Sequence, residues 1–159
     1  MKVPTIRHGI KMIHGANDCI EYIDKTFGVR KDILYPKDAS LANSTLYCQF
    51  FIELTFSWTF YTILFEGDNS KIQDHCKEKL LKDIKKLTNY YHGPFFSGEE
   101  ISVSDVLMAP YFARLCVLKH YRGFEIPQDE EYKKWHEWKE NVLNHKAVIH
   151  TQLKESEYI

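Results

Sequence analysis

Two pairs of side chains in this sequence have residue types and spacings that chemistry could use. Ser102 and Asp105 lie three residues apart, as a hydroxyl and a carboxylate could in one helical turn. No histidine falls in helical register with them, so we expect a capping role and no catalytic residue here. Cys116 and His120 would share one helical face. A closed zinc site needs four ligands, and no second His or Cys pair has ligand spacing, so we predict no metal site.

The segment around Ser102 has the pattern of a helix start. Ser102 is the expected N-cap, and Asp105 falls at the third helical position, from which it can reach back to the backbone. Ile101 before the cap can pack on Val106 as a hydrophobic staple. Pro110, eight residues after the cap, must break one hydrogen bond and bend the helix. We therefore predict a capping box and staple at residues 101–106.

A cluster of basic residues lies in the middle of the chain, at Lys77, Lys79, Lys82, Lys85 and Lys86. Acidic residues are interleaved with these lysines, which favours a solvated helix face over a nucleic-acid site. The whole chain carries 21 basic and 22 acidic residues, a net charge of -1. Because a nucleic-acid backbone attracts a positive field, we expect no nucleic-acid partner.

Composition indicates a globular chain of one domain, or one domain and a fragment. The chain has 159 residues, of which 44% are hydrophobic, 14% aromatic and 27% charged, which excludes disorder and low-complexity classes. Its four cysteines lie far apart without CxxC spacing, which favours a reduced, intracellular chain. The first residues contain no apolar signal segment. We therefore expect a cytoplasmic protein.

The first 43 residues predict a hairpin, a helix and a linker. Extended runs at 2–6 and 10–14 flank a turn predicted over Arg7–Gly9, as in a modest β-hairpin. Apolar spacing predicts a helix over 17–27, with Asn17 as its N-cap and Gly28 at its C-terminal end. Residues 29–43 look like a linker.

The rest of the chain predicts helices, at 44–65, 70–91, 102–121 and within 130–153, and Gly123 should close the third of them. In the last of these, Trp135, Trp138 and Val142 should share one face, and residues 66–69 should form a loop. Alternation of apolar and polar residues over 54–60 is instead typical of a strand, but the apolar run around it is over 20 residues long, which favours a buried helix.

The capping box, the mid-helix proline and the preceding Phe95–Gly98 segment together resemble the central helix of the glutathione S-transferase C-terminal domain. Lys119–Phe124 followed by Trp135 and Trp138 is similar to the last helices of that family. The ordered set of similarities covers essentially the whole chain.

The N-terminal part resembles the same family. Lys2-Val3-Pro4 is similar to the cis-proline segment that opens the third strand of its thioredoxin-like domain, 19–24 to the next helix, and 34–38 to the interdomain linker. The resemblance implies a mainly α fold in which a glutathione S-transferase C-terminal-like helical domain follows a partial thioredoxin-like β-hairpin and helix. The implied division is 1–28 for the thioredoxin-like remnant, 29–43 for the linker and 44–159 for the all-α domain.

The resemblance also has consequences for glutathione binding and catalysis. The family's catalytic Tyr, Ser or Cys precedes its third strand, so no residue here inherits that role. Gly15 and Ala16 occupy the positions where the family has Glu or Gln followed by Ser, which bind the γ-glutamyl group. Losing two charge-assisted hydrogen bonds would weaken binding by about two to four decades. The backbone of Val3, beside Pro4, is what remains to pair with glutathione.

These points imply a glutathione S-transferase-like protein that needs no cofactor, is non-catalytic as it stands and acts as a protein-binding or scaffold module. The alternative is a glutathione transferase whose catalytic N-terminal half is missing from this sequence or supplied by another chain. The resemblance leaves open whether the chain binds glutathione.

Residues 46–65 are the most apolar stretch and have one formal charge, Glu53. The length fits a bilayer span, but Glu53 near its middle opposes insertion. In the family this helix contributes to the subunit interface. The surplus of Phe and Trp predicts a homo-oligomer or a protein partner bound through 46–65.

Overall fold

The computed structural model describes residues 3–28, 33–66 and 70–159. Lys2, residues 29–32 of the expected linker and residues 67–69 of the expected loop lie outside the described residues. The described part is a short hairpin followed by helices, as the sequence predicted, and its order matches the mainly α class.

The hairpin consists of β1 (Thr5–His8) and β2 (Lys11–His14), paired antiparallel with Ile6 opposite Ile13. Gly9 makes the turn at φ 62°, a left-handed conformation that suits glycine. Helix α1 (Ala16–Phe27) follows and packs on β2. The prediction of Asn17 as N-cap is wrong, because Gly15 occupies that position and Asn17 lies inside the helix.

A long helical segment follows, and it comprises α2 (Ala39–Phe51), a π turn (Ile52–Phe56) and α3 (Ser57–Phe65). The helix therefore begins five residues before the predicted 44, and the strand alternative for 54–60 is wrong. Asp38 caps α2 by accepting the backbone N–H groups of Ser40 and Leu41, each at 3.0 Å. The prediction of a linker over 39–43 is wrong, because it overlooked this cap, which is a strong signal for the start of a helix.

The remaining elements are α4 (Ser70–Thr88), α5 (Val103–Arg122), a 3₁₀ turn (Glu130–Tyr132), α6 (Lys133–Leu143), α7 (Lys146–Ile149) and a 3₁₀ turn (Glu155–Glu157). Helix α4 ends three residues before the predicted 91. Helix α5 contains Pro110 and ends at Gly123, whose φ is 58°.

Helix α5 lies at the centre of the helical part, against α2, α3 and α6. Around it a single hydrophobic core extends from Cys48 to Val148. Trp135, Trp138 and Val142 share the buried face of α6, as predicted. The two indole rings meet edge to face at 5.8 Å, and Phe112 contacts both at 5.0 Å. Because such large rings bury the most apolar area, they anchor α5 to α6.

Candidate functional site

The cis peptide bond between Val3 and Pro4 lies next to the start of α1. The Pro4 carbonyl accepts the Gly15 N–H at 2.9 Å, and the Cys19 thiol points at the same carbonyl at 3.8 Å. Gly15 has φ 97°, a conformation that side-chain-bearing residues rarely adopt. The backbone of position 15 is therefore bound to the cis-proline segment, and neither Gly15 nor Ala16 offers a polar side chain.

A contact between α1 and the π turn joins the hairpin part to the helical part. The Asn17 amide donates to the Glu53 carboxylate at 2.7 Å. Glu53 lies within the π turn, where the Ser57 N–H bonds to the Ile52 carbonyl. Such π turns are frequent at functional sites. In the sequence, Glu53 opposes membrane insertion of residues 46–65. In the structure it is an exposed carboxylate that accepts a hydrogen bond from Asn17.

Helices α2 and α3 expose a row of apolar side chains on one side, which we name the aromatic face. It consists of Leu46, Phe50, Leu54, Trp58, Tyr61 and Phe65. Four of these side chains are well over half exposed, with Phe50 at 59%, Leu54 at 75%, Trp58 at 60% and Phe65 at 74%. The opposite side of the same segment is fully buried at Phe56, Phe60 and Ile63. The segment predicted to carry an interface therefore has both a core side and an unburied apolar side.

The Asp105 carboxylate is the most heavily bonded buried group among the described residues. It accepts the Ser102 N–H and hydroxyl at 2.7 Å each, the Phe96 N–H at 2.9 Å and the Trp138 indole N–H at 2.6 Å. Burial raises the pKa of the Asp105 carboxyl, while these four donors act in the opposite direction. Ser102 is the N-cap of α5, within a capping box. The Asp105 carboxylate therefore has a structural role, because it connects the start of α5 to Phe96 and to Trp138 of α6. The packing of Ile101 on Val106 stays a prediction.

The cysteine thiols give no sign of activation. All four cysteines are free, and Cys19, Cys48 and Cys76 are buried. Burial raises the pKa of Cys48, Cys76 and Cys116, so these thiols stay protonated at neutral pH. Among residues 3–28, 33–66 and 70–159, no group of three or more His, Cys, Asp or Glu side chains could hold a metal ion.

The central lysines of α4 are largely engaged by acidic residues. Lys79 pairs with Asp83, and Lys86 lies 4.0 Å from the same carboxylate. Lys85 pairs with Glu131 at 2.6 Å.

Within the part of the chain that the structure describes, no helix is long and apolar enough to cross a bilayer.

Comparison with known proteins shows what this arrangement resembles. The chain is 26% identical over 155 residues to a probable cytosolic glutathione S-transferase, DHAR1, of Oryza sativa subsp. japonica, covering 95% of this chain and 65% of that protein. It is 28% identical over 167 residues to glutathione S-transferase L3 of Arabidopsis thaliana, covering 99% and 63%. No protein-family model matches the chain.

A solved structure extends the likeness to three dimensions. The glutathione transferase Omega 3C of Trametes versicolor superposes with a TM-score of 0.84 at 20% identity, over 96% of this chain and 67% of that one. The chain is therefore similar in sequence to glutathione S-transferases and shares their fold. Its hairpin and α1 correspond to the end of the thioredoxin-like domain of that fold, and α2 onward to the helical domain.

The glutathione S-transferase likeness covers only part of the relatives. The chain spans about 65% and 63% of the two curated relatives' lengths. Val3, Pro4, Gly15 and Ala16 lie together at the start of α1, whereas the capping residues lie at the start of α5. The role of the first group toward glutathione stays a prediction.

Sequence reasoning missed two contacts of the site. The Asn17–Glu53 bond was hidden because Asn17 fits an N-cap pattern equally well. The Trp138 bond to Asp105 spans 33 residues along the chain, and no local pattern signals it.

Proposed function

We propose that this glutathione S-transferase-like chain is a non-catalytic binding module that associates with a second copy of itself through the aromatic face. The observation that carries the proposal is the exposure of six large apolar side chains in one row on α2 and α3. A contiguous patch of this kind marks an interaction surface. A cytoplasmic location accords with the cytosolic description of the rice relative.

The size of the face supports a second copy as the occupant. Aromatic side chains carry about 150–250 Å² each, so the exposed fractions here leave on the order of 700 Å² uncovered. A standard interface buries about 800 Å² per partner. Segment 46–65 contains no lysine, arginine or histidine, and its one carboxylate, Glu53, lies beside the face and already accepts a hydrogen bond from Asn17.

Two properties of the described residues support the non-catalytic part. A glutathione transferase needs a group that stabilises a thiolate, and the Cys48, Cys76 and Cys116 thiols have raised pKa values. Gly15 and Ala16 present no polar side chain at the start of α1. Glutathione would have to be held there by backbone groups.

Sedimentation velocity over a range of concentrations tests the self-association. We expect a dimer in the wild-type protein and a monomer in Leu54→Glu, because a carboxylate in the buried centre of an interface is left unpaired. Ile10→Glu is the matched control, since Ile10 is fully exposed at the hairpin turn, away from the face. A monomeric wild type, or equal effects of the two variants, would contradict the proposed interface.

A second assay tests the catalytic part. The chain should not be retained on glutathione resin, and it should not conjugate glutathione to 1-chloro-2,4-dinitrobenzene above the uncatalysed rate. Clear turnover would favour the other candidate, a glutathione transferase completed by another segment or chain. The likeness to transferases and the cis Val3–Pro4 bond beside α1 support that candidate.

A further inference from the structure

The hairpin segment is basic, whereas the rest of the chain is acidic. Residues 1–17 contain three lysine or arginine side chains and no aspartate or glutamate. Because the whole chain has a net charge of -1, residues 18–159 together have a negative net charge. This separation of charge gives the hairpin a positive field of its own, which attracts anionic partners.

Two of these cations flank the turn of the hairpin and are not neutralised. The Arg7 Nε donates to the Gly9 carbonyl at 3.3 Å, which holds the guanidinium group beside the turn. Lys11 begins β2 on the other side of the turn. In the described part of the chain, no carboxylate forms an ion pair with Arg7 or Lys11. Because Arg7 pairs with Met12 in the register, it lies on the opposite face of the hairpin from Lys11.

An isoleucine projects from the turn between these two cations. Ile10 follows Gly9, and its side chain is fully exposed. Met12, the next apolar side chain along β2, is also half exposed. A single exposed apolar residue is ordinary, but this one lies between two unpaired cations. The tip of the hairpin therefore combines positive charge with an apolar end.

This combination distinguishes an anionic bilayer from other anionic partners. At a bilayer surface, Arg7 and Lys11 would meet the lipid phosphates and carboxylates, while Ile10 would enter the acyl boundary just below them. A nucleic-acid backbone offers the same negative charge but leaves Ile10 in water. The anionic surface repels the acidic remainder of the chain, which turns the hairpin tip toward the bilayer.

We propose that the hairpin tip docks the protein on an anionic lipid surface, with Ile10 in the acyl boundary and with Arg7 and Lys11 on the headgroups. The contact is interfacial, so it needs no membrane-spanning helix. It uses none of the six side chains of the aromatic face, and it is therefore independent of the proposed self-association.

Flotation with large unilamellar vesicles tests the docking. We expect the protein to float with vesicles of phosphatidylcholine and phosphatidylserine in equal parts, and not with vesicles of phosphatidylcholine alone. Binding should fall between low and physiological ionic strength, at which the Debye length shortens to about 8 Å. Leu54→Glu should still float, so a failure of self-association leaves this prediction intact.

Two matched pairs of variants locate the contact. Ile10→Ser should weaken vesicle binding by about tenfold or more, because it removes the apolar group that enters the bilayer. Ile149→Ser, at a half-exposed isoleucine on α7, should bind as the wild type does. Lys11→Gln should weaken binding about fivefold, the effect of one cation at an anionic lipid surface. Lys134→Gln, at an exposed position of α6, should leave binding unchanged.

Four results would overturn the docking. The first is equal flotation with the two kinds of vesicle. The second is equal binding of Ile10→Ser and Ile149→Ser, which would remove the hairpin tip from the contact. The third is a loss of flotation in Trp58→Ala, which would place the lipid on the aromatic face. The fourth is binding of a single-stranded oligonucleotide without any flotation, which would assign the basic tip to nucleic acid.

Discussion

The hairpin with α1 and the helical part from residue 33 onward differ sharply in how much they bury. No strand residue of the hairpin is fully buried, and α1 buries only Cys19 and Asp24. The helical part holds the whole hydrophobic core, including fully buried Phe56, Phe60, Trp135 and Trp138. Stability in this molecule therefore comes from the helical part, while the hairpin depends on a few contacts to it.

Two side-chain hydrogen bonds join the two parts of the molecule. Asn17 donates to Glu53 at 2.7 Å, and the Asp24 carboxylate accepts the Leu34 N–H at 3.4 Å. Because a single hydrogen bond contributes little net free energy, we expect the hairpin to open without unfolding of the core.

Removing the Asp105 carboxylate should produce the largest loss of stability. Asp105→Ala leaves three buried donors without an acceptor, the Trp138 indole and the N–H groups of Phe96 and Ser102, and should lower the free energy of unfolding by about 4 kcal/mol. Urea denaturation measures this. The matched control is Asp38→Ala at the exposed cap of α2, which should cost about 1 kcal/mol. Equal losses would mean that Asp105 is an ordinary cap.

The next largest expected effect is a difference in native-state hydrogen exchange between the hairpin amides and the amides of the helical core. An isolated two-stranded hairpin is marginal in water, so β1 and β2 amides should open at a free energy at least about 2 kcal/mol below that of the amides around Leu80 and Ile84. Exchange measured at several protein concentrations is the control, because it shows whether a second copy of the chain protects the hairpin amides. Equal protection of hairpin and core would remove the distinction between the two regions.

Tyr91 should make the helical part sensitive to alkaline pH. Burial raises its pKa from 10.0 to about 12, and its hydroxyl donates to the Pro94 carbonyl at 2.9 Å. The native state then holds its proton longer than the unfolded state, so this stabilisation is complete below pH 10 and is lost as pH rises from 10 to 12. Tyr91→Phe should cost about 1 kcal/mol at neutral pH and abolish that part of the alkaline loss. An unchanged alkaline profile in denaturant melts would contradict this.

A change at the hairpin turn should have the smallest effect. Ile10 is fully exposed, so Ile10→Ser should change the free energy of unfolding by less than about 0.5 kcal/mol. Thermal melts compare it with the wild type. A loss above 1 kcal/mol would mean that a second copy covers the hairpin.

The elements that sequence alone predicts well are those with local signals. The Ser102 N-cap, the Gly123 end of α5 and the buried stripe of α6 each depend on residues within one or two helical turns. The start of α2 at Asp38 also has a local signal, but Pro36 and the polar residues around it favoured a linker.

The parts that sequence could not predict depend on distant contacts. The bond between Asp105 and Trp138 and the Asn17–Glu53 contact join residues 33 and 36 positions apart. The π turn at Ile52–Phe56 has no local signal in the sequence either. The segment 46–65 was predicted as an interface from its composition, but which six side chains remain exposed depends on how α2 and α3 pack against α5.

Acrylamide quenching of Trp58 is a direct test of self-association through the aromatic face. Among the three tryptophans, Trp135 and Trp138 are fully buried and Trp58 is 60% exposed, so acrylamide reports on the aromatic face. We expect quenching to fall as protein concentration rises, because a second copy covers Trp58, and we expect Leu54→Glu to abolish this fall. Quenching that stays constant over the whole concentration range would contradict self-association through the aromatic face.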